Sequence, residues 1–302
     1  MKFSTTKISV RLFGITSAIL FLSACKTQNL ISTDFTPEWG FTKGIEGPAV
    51  DVNGNLYAVN YKEQGTIGIV YENGKSDIFT RLDGKSVGNG IRFDTSGNMF
   101  IADYVGHNVY QIKNGSKEAE VYAHNPEMSQ PNDLAIAPNG TMYLSDPNWA
   151  ESKGRIWIVQ ENKEIVLLED NMGTTNGIEV SPDGKRLYVN ESVQRNVWQY
   201  DINEDGTLGN KSLFIKFDDF GMDGMRCDSQ GNLYITRYDK GTVVIVTPDK
   251  KIIKEVQLKG KKPSNITFGG ENGKTCYVTM ADRGNFETFP ALNSGAFYKR
   301  LH

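Results

Sequence analysis

Cysteine and histidine are scarce, with three of each in 302 residues. Cys25 lies in the N-terminal segment, and Cys227 and Cys276 sit inside apolar strand patterns. Nothing places that last pair within bridging range, so they are read as two separate buried thiols. No Gly-x-Ser-x-Gly elbow and no Ser/His/Asp order is present, which leaves a serine hydrolase without support. Helical periodicity of useful length is missing after the first 24 residues. No Lys/Arg cluster exists, and the formal charge is −3. A mildly acidic surface without a basic patch argues against nucleic acid as a partner.

The first 24 residues carry Lys2, Lys7 and Arg11 and no acid, followed by an apolar run from Leu12 to Leu22 and then Leu22-Ser23-Ala24-Cys25. This resembles a bacterial lipoprotein signal, with cleavage before Cys25 and lipid on its thiol. Residues 1–24 are therefore expected to be removed and residues 25–33 to form a tether. The product would be an exported lipoprotein, anchored to a membrane without spanning it. Lys26 follows the cysteine in place of an acid, which favours an outer-membrane anchor facing the periplasm.

What fills residues 34–302 is a repeat. The hairpin EGPAVDVNGNLYAVN recurs as GNGIRFDTSGNMFIADY, PNDLAIAPNGTMYLSDP, TNGIEVSPDGKRLYVNES, DGMRCDSQGNLYITRY and SNITFGGENGKTCYVTM. The turn glycines Gly54, Gly97, Gly140, Gly184, Gly231 and Gly273 are separated by 43, 43, 44, 47 and 42 residues. A period in the forties with four strand-like runs per unit is the mark of a β-propeller blade. The expected fold is all-β, a six-bladed propeller with four strands per blade, closed by an N-terminal strand in the last blade. DFTPEWGFTKG is expected to supply that closing strand and GAFYKRL the third strand of blade six. The WD and GH signatures of the best-known propeller repeat are absent, which points to another propeller family.

Eight residues before each turn glycine stand Glu46, Asn89, Asn132, Asn176, Asp223 and Asn265, all oxygen-bearing. The first strand of a blade lies nearest the axis, so these positions form a ring around the channel. Gly follows the ring residue at 46, 89, 176 and 223, and Asx-turns at strand entrances would explain the asparagines alone. They do not explain two carboxylates facing one channel, a costly arrangement unless a cation compensates. A hard all-oxygen set suits Ca²⁺ best, held by Glu46, Asn132, Asn176 and Asp223; Zn²⁺, Mn²⁺ or Mg²⁺ are other candidates. Asn89 would add a polar group to the site.

Six residues after each glycine lie Asn60, Asp103, Asp146, Asn190, Arg237 and Thr279, expected to line the pocket wall. Asp103 and Arg237 are candidates for binding substrate, Arg237 as a fixed donor for an anionic or hydroxyl-rich ligand. His107, in the turn after the second strand of blade two, is read as a surface-loop residue with a pocket-facing position as the alternative, and His124, which precedes a loop, is the weaker candidate of the two.

The motifs EGP at 46–48, PND at 131–133, TNG at 175–177, DGM at 223–225 and FGGENGKTCYVTMADRG at 268–284 resemble the SMP-30/gluconolactonase/LRE family. More distantly they are similar to paraoxonases and diisopropyl-fluorophosphatase, although the paraoxonase histidine pair has no secure counterpart. The resemblance covers all six repeats. It implies one divalent cation at the top of the channel on Glu46, Asn176 and Asp223, with Asn132 beside it. It also implies hydrolysis of a lactone or small ester, with a carboxylate activating water or attacking directly; a monomer is the expected state. Asp223 is the first candidate for that carboxylate, and Asp146 or Asp103 the second, because a ligand held by metal is a weakened base. A phosphoester substrate, or a non-catalytic propeller that binds a ligand and carries a structural cation, are the competing readings.

Overall fold

The computed structural model describes residues 1–3 and 31–302. The signal-like segment and Cys25 lie outside the described residues. Among those described, no helix is long and apolar enough to cross a membrane.

Six four-stranded antiparallel sheets make up the molecule, a six-bladed β-propeller. The innermost strands are Phe41–Val50, Gly88–Phe93, Leu134–Ile136, Thr175–Val180, Met225–Cys227 and Pro263–Gly269. Each runs away from the pocket face, turns near its repeat glycine, and pairs with a returning strand such as Leu56–Tyr61 or Leu233–Arg237. Alternation along these strands directs apolar side chains into the gaps between neighbouring blades. The core is accordingly split into six clusters, one per gap. One packs Phe41, Ile45 and Tyr61 of blade one against Phe286 of blade six.

The ring closes as expected in principle and differs in detail. The N-terminal strand of the last blade is only Thr33–Asp34, paired with Asn285–Pro290 in the order that completes the sheet. Phe41 and the residues after it already open blade one. The chain joins the propeller from Ile31, which bridges to Gln257, so the tether expected over 25–33 ends earlier. The third strand of blade six is Asn285–Pro290. GAFYKRL instead forms a short helix, Ala296–Leu301, under the far end of the channel, where Arg300 donates to the Ile136 carbonyl at 3.2 Å. NFETFP takes the third place, flanked by Thr275–Met280 on one side and Thr33–Asp34 on the other. Cys227 and Cys276 are buried free thiols in different blades, as expected.

Candidate active site on the propeller axis

A cavity of about 530 Å³ opens at the end of the channel where the innermost strands begin. Glu46, Asn89, Asn132, Asn176 and Asp223 all line it, so five of the six ring positions converge as the spacing requires. Backbone crowding holds them there. A Cβ on Gly47 would lie 2.1 Å from the Asn89 carbonyl oxygen, and one on Gly224 would fall 1.9 Å from Cγ of Asn265. The glycine after the ring residue therefore serves close approach of neighbouring strands. Gly47 alone among these has a left-handed φ, of 56°, so Asx-turn geometry does not explain the pattern.

Asn265, the sixth ring member, is buried below the floor. Its Nδ2 donates to Glu46 Oε2 at 2.9 Å and lies 3.4 Å from Asp133 Oδ2. Glu46 Oε2 also accepts the Gly47 N–H at 2.6 Å, which fixes the carboxylate's orientation. Asn176 Nδ2 donates to Ser192 Oγ at 3.0 Å, and Ser192 in turn donates to the Met222 carbonyl. That chain orients the amide and leaves Asn176 Oδ1 buried without a partner. Asn89 donates to the Asn132 carbonyl at 3.0 Å.

The electrostatics of the floor are those of a site short of positive charge. Burial, then the charge of Asp133, pushes the Glu46 carboxyl up to about 7. Burial, then Glu46 itself, raises Asp223 well above the usual carboxylate range. Among the described residues no three His, Cys, Asp or Glu side chains are arranged to hold a metal. A cation on this floor would depend on two carboxylates supplemented by amide oxygens. The unpartnered Asn176 oxygen fits that role, and hard oxygen donors suit Ca²⁺.

Directly beneath lies a layer outside both sets of repeat positions. Asp133 accepts both terminal nitrogens of Arg92, at 2.8 and 3.2 Å, and lies 3.5 Å from Arg226. Arg92 also lies 3.5 Å from Glu179. Burial alone would raise Asp133, but the two guanidiniums outweigh it and hold the carboxyl below its ordinary value. Arg226, by burial and then the neighbouring Arg92, is lowered to about 10.

The second ring does not line the cavity. Its side chains act as clasps on the connections around the strand entrances. Asp103 accepts the Val87, Val105 and Gly106 N–H groups and the Asn108 amide at 2.8–3.2 Å. Asp146 accepts the Ser129 and Gln130 N–H groups and the Trp157 indole, at 2.6–3.0 Å. Arg237 donates to Oδ1 of Asp219 at 2.7 Å and stacks 3.8 Å above the Phe217 ring. Asn60 and Asn190 likewise bind the carbonyls of Gly44 and Asp223, at 2.6 and 2.5 Å. Asp103 and Asp146 spend their carboxylates on these bonds, and Arg237 commits its Nη2 to Asp219 while its Nε stays buried without a partner; none of the three lines the cavity. His107 does not line the cavity, and His124 Nδ1 pairs with Asn108 at 2.9 Å.

Comparison with known proteins agrees with this fold. A family model described as the SMP-30/Gluconolactonase/LRE-like region matches residues 45–282. A gluconolactonase of Zymomonas mobilis is 26% identical over 64% of this chain, and the match spans 60% of the length of that relative. Diisopropyl-fluorophosphatase of Loligo vulgaris is 26% identical over 78% of this chain and 85% of its own. The crystal structure of a calcium-binding protein, regucalcin, from Agrobacterium tumefaciens superposes with a TM-score of 0.72 at 18% identity, covering 88% of this chain and 98% of that one.

Proposed function

Because the chain belongs to the SMP-30/gluconolactonase/LRE-like family, we propose that it is a hydrolase that opens a lactone or similar small ester at the cavity floor with the help of a divalent cation, Ca²⁺ by preference. The observation that carries this reading is the buried, unpartnered Oδ1 of Asn176 beside two carboxylates whose ionisation burial opposes. Glu46, Asn132, Asn176 and Asp223 would hold the ion. A cation bound there supplies Lewis-acid polarisation of the ester carbonyl.

The chain's own residues do the rest. Glu46 and Asp223 are the two carboxylates among the described residues that line the cavity. Glu46 is tied down by Gly47 and Asn265. Asp223 is thus the group that would take a proton from the attacking water and return it to the leaving ring oxygen as the C–O bond opens to a hydroxy acid. Asn89, whose Nδ2 is engaged with Asn132, keeps its Oδ1 as an acceptor for a substrate hydroxyl. Names among the relatives, gluconolactonase for one, support the lactone class. The diisopropyl-fluorophosphatase match, which spans most of both chains, supports an organophosphate as the second reading of the same floor. A lipid-anchored protein facing the periplasm completes the proposal, on the strength of the Leu22–Cys25 motif.

Proton release from aldonolactones and aliphatic lactones, with protein stripped by chelator and then resupplied with Ca²⁺, tests it. Turnover that disappears and returns with the ion is the expected result. Absence of turnover, with the ion only raising the melting temperature, would point to a ligand-binding propeller with a structural cation.

A further inference from the structure

One residue position repeats in all six blades at the cavity face, immediately before the third strand. It is occupied by Gly65, His107, Ser152, Arg195, Gly241 and Gly284, with φ of 79°, 58°, 54°, 63°, 74° and 57°. This left-handed backbone suits glycine, and three blades use it. Blade four places an arginine there, against conformational preference. The turn that holds it is rigidly tied. Arg195 N–H donates to the Glu191 carbonyl at 2.8 Å, its own carbonyl accepts the Phe217 N–H at 3.0 Å, and the Glu191 carboxylate takes the Gly173 N–H at 2.8 Å and the Asn196 amide at 2.9 Å.

Arg195, half-buried, is one of the residues lining the cavity, as are Val193, Phe220 and Met222. Among the described residues its guanidinium has no carboxylate within 4.0 Å and no side-chain hydrogen bond, and its Nε is buried without a partner. Other arginines near this face differ in being paired: Arg237, whose Nε is also buried without a partner, is clamped through Nη2 to Asp219, and Arg155 donates to Ser129 at 2.7 Å. An unpaired buried donor on a strained backbone is unfavourable to the fold twice over. Apolar neighbours strengthen its attraction for an incoming anion. Lys43, the other cation lining the cavity, stands across the channel in blade one on an exposed side chain.

We infer that Arg195 forms an anion subsite on the blade-four wall, so that the preferred substrate carries a carboxylate, sulfonate or phosphate apart from the ester that is opened. This rests on the hydrolase reading for the reaction and on the cavity alone for binding, and the test separates the two. With Ca²⁺ present, calorimetry on the full chain in detergent compares glucarate, which has two carboxylates, with gluconate, which has one. Glucarate is expected to bind roughly 10- to 100-fold more tightly, the worth of a charge-assisted hydrogen bond. Arg195→Gln should bring the two acids to within a fewfold of each other. It should likewise collapse the ratio of kcat/KM for a glucarolactone over neutral gluconolactone, through KM. Arg195→Gly should lose the same discrimination while melting no lower than the parent, because glycine suits that backbone. Equal affinity of the parent for both acids, or binding of neither, overturns the inference. So does discrimination that survives Arg195→Gln and is lost in Lys43→Gln. If no lactone is turned over, the hydrolase reading fails, and calorimetry still decides the subsite. Repeating it with 6-phosphogluconate separates phosphate from carboxylate as the preferred group.

Discussion

The floor of the cavity and the layer beneath it are made by the same inner strands, yet their charges are handled in opposite ways. Below, Asp133 and Glu179 face Arg92 and Arg226, and protein cations answer protein anions. On the floor, Glu46 is held by the Asn265 amide and the Gly47 N–H, its charge raises the neighbouring Asp223, and the Asn176 amide oxygen is left without a partner. A buried pair satisfied from within holds a structure together. Buried carboxylates with no cation of the chain bonded to them are what the proposed ion would answer.

The comparison can be broken most visibly by removing the floor carboxylate. Asp223→Asn should lower lactone turnover by about 10²- to 10⁴-fold. It should also remove stabilisation by Ca²⁺, yet leave the metal-free protein at least as resistant to urea as the parent. The lower layer should respond with the opposite sign: Asp133→Ala strands two buried guanidiniums and should cost about 3–5 kcal/mol in urea unfolding.

Acidity gives a sharper contrast. The Glu46 carboxyl is raised from 4.5 to about 7 in the folded chain. Its contribution to stability is whole below its unfolded value and is lost as pH rises through the folded one. Metal-free protein should therefore lose on the order of 3 kcal/mol between about pH 4.5 and 7. Saturating Ca²⁺ should flatten or reverse that slope in thermal melts at stepped pH. The smallest effect is expected at the clasps. Arg237→Gln should reduce stability by about 1–3 kcal/mol without shifting KM, since its partners are Asp219 and the Phe217 ring.

Much of this was legible because the repeat is local. Six hairpins of nearly constant period named the fold, and a constant offset from each turn glycine named the floor residues. The lower layer left a trace as well. GNGIRFD, TNGIEVS and DGMRCD each carry a charge three residues after the ring position, inside an otherwise apolar strand. What could not be read was which charge meets which, for Asp133 is 41 residues from Arg92 and 93 from Arg226. The second ring misled for a related reason. Constant spacing placed Asp103, Asp146 and Arg237 at one level of the barrel, but the connection at each blade's entrance runs past them and takes up their hydrogen bonds.

The sequence by itself determined the number of blades, the residues that reach the axis and the two free thiols, because strand alternation and turn chemistry act over a few residues. Tertiary structure alone decided that a two-residue strand closes the ring, that the C-terminal segment becomes a helix under the channel, and that Asn265 turns downward. Only the folded chain could also show that Arg195 stands unpaired beside the cavity. Each of these depends on contacts between segments far apart in the chain, where close packing and the supply of partners outweigh local preference.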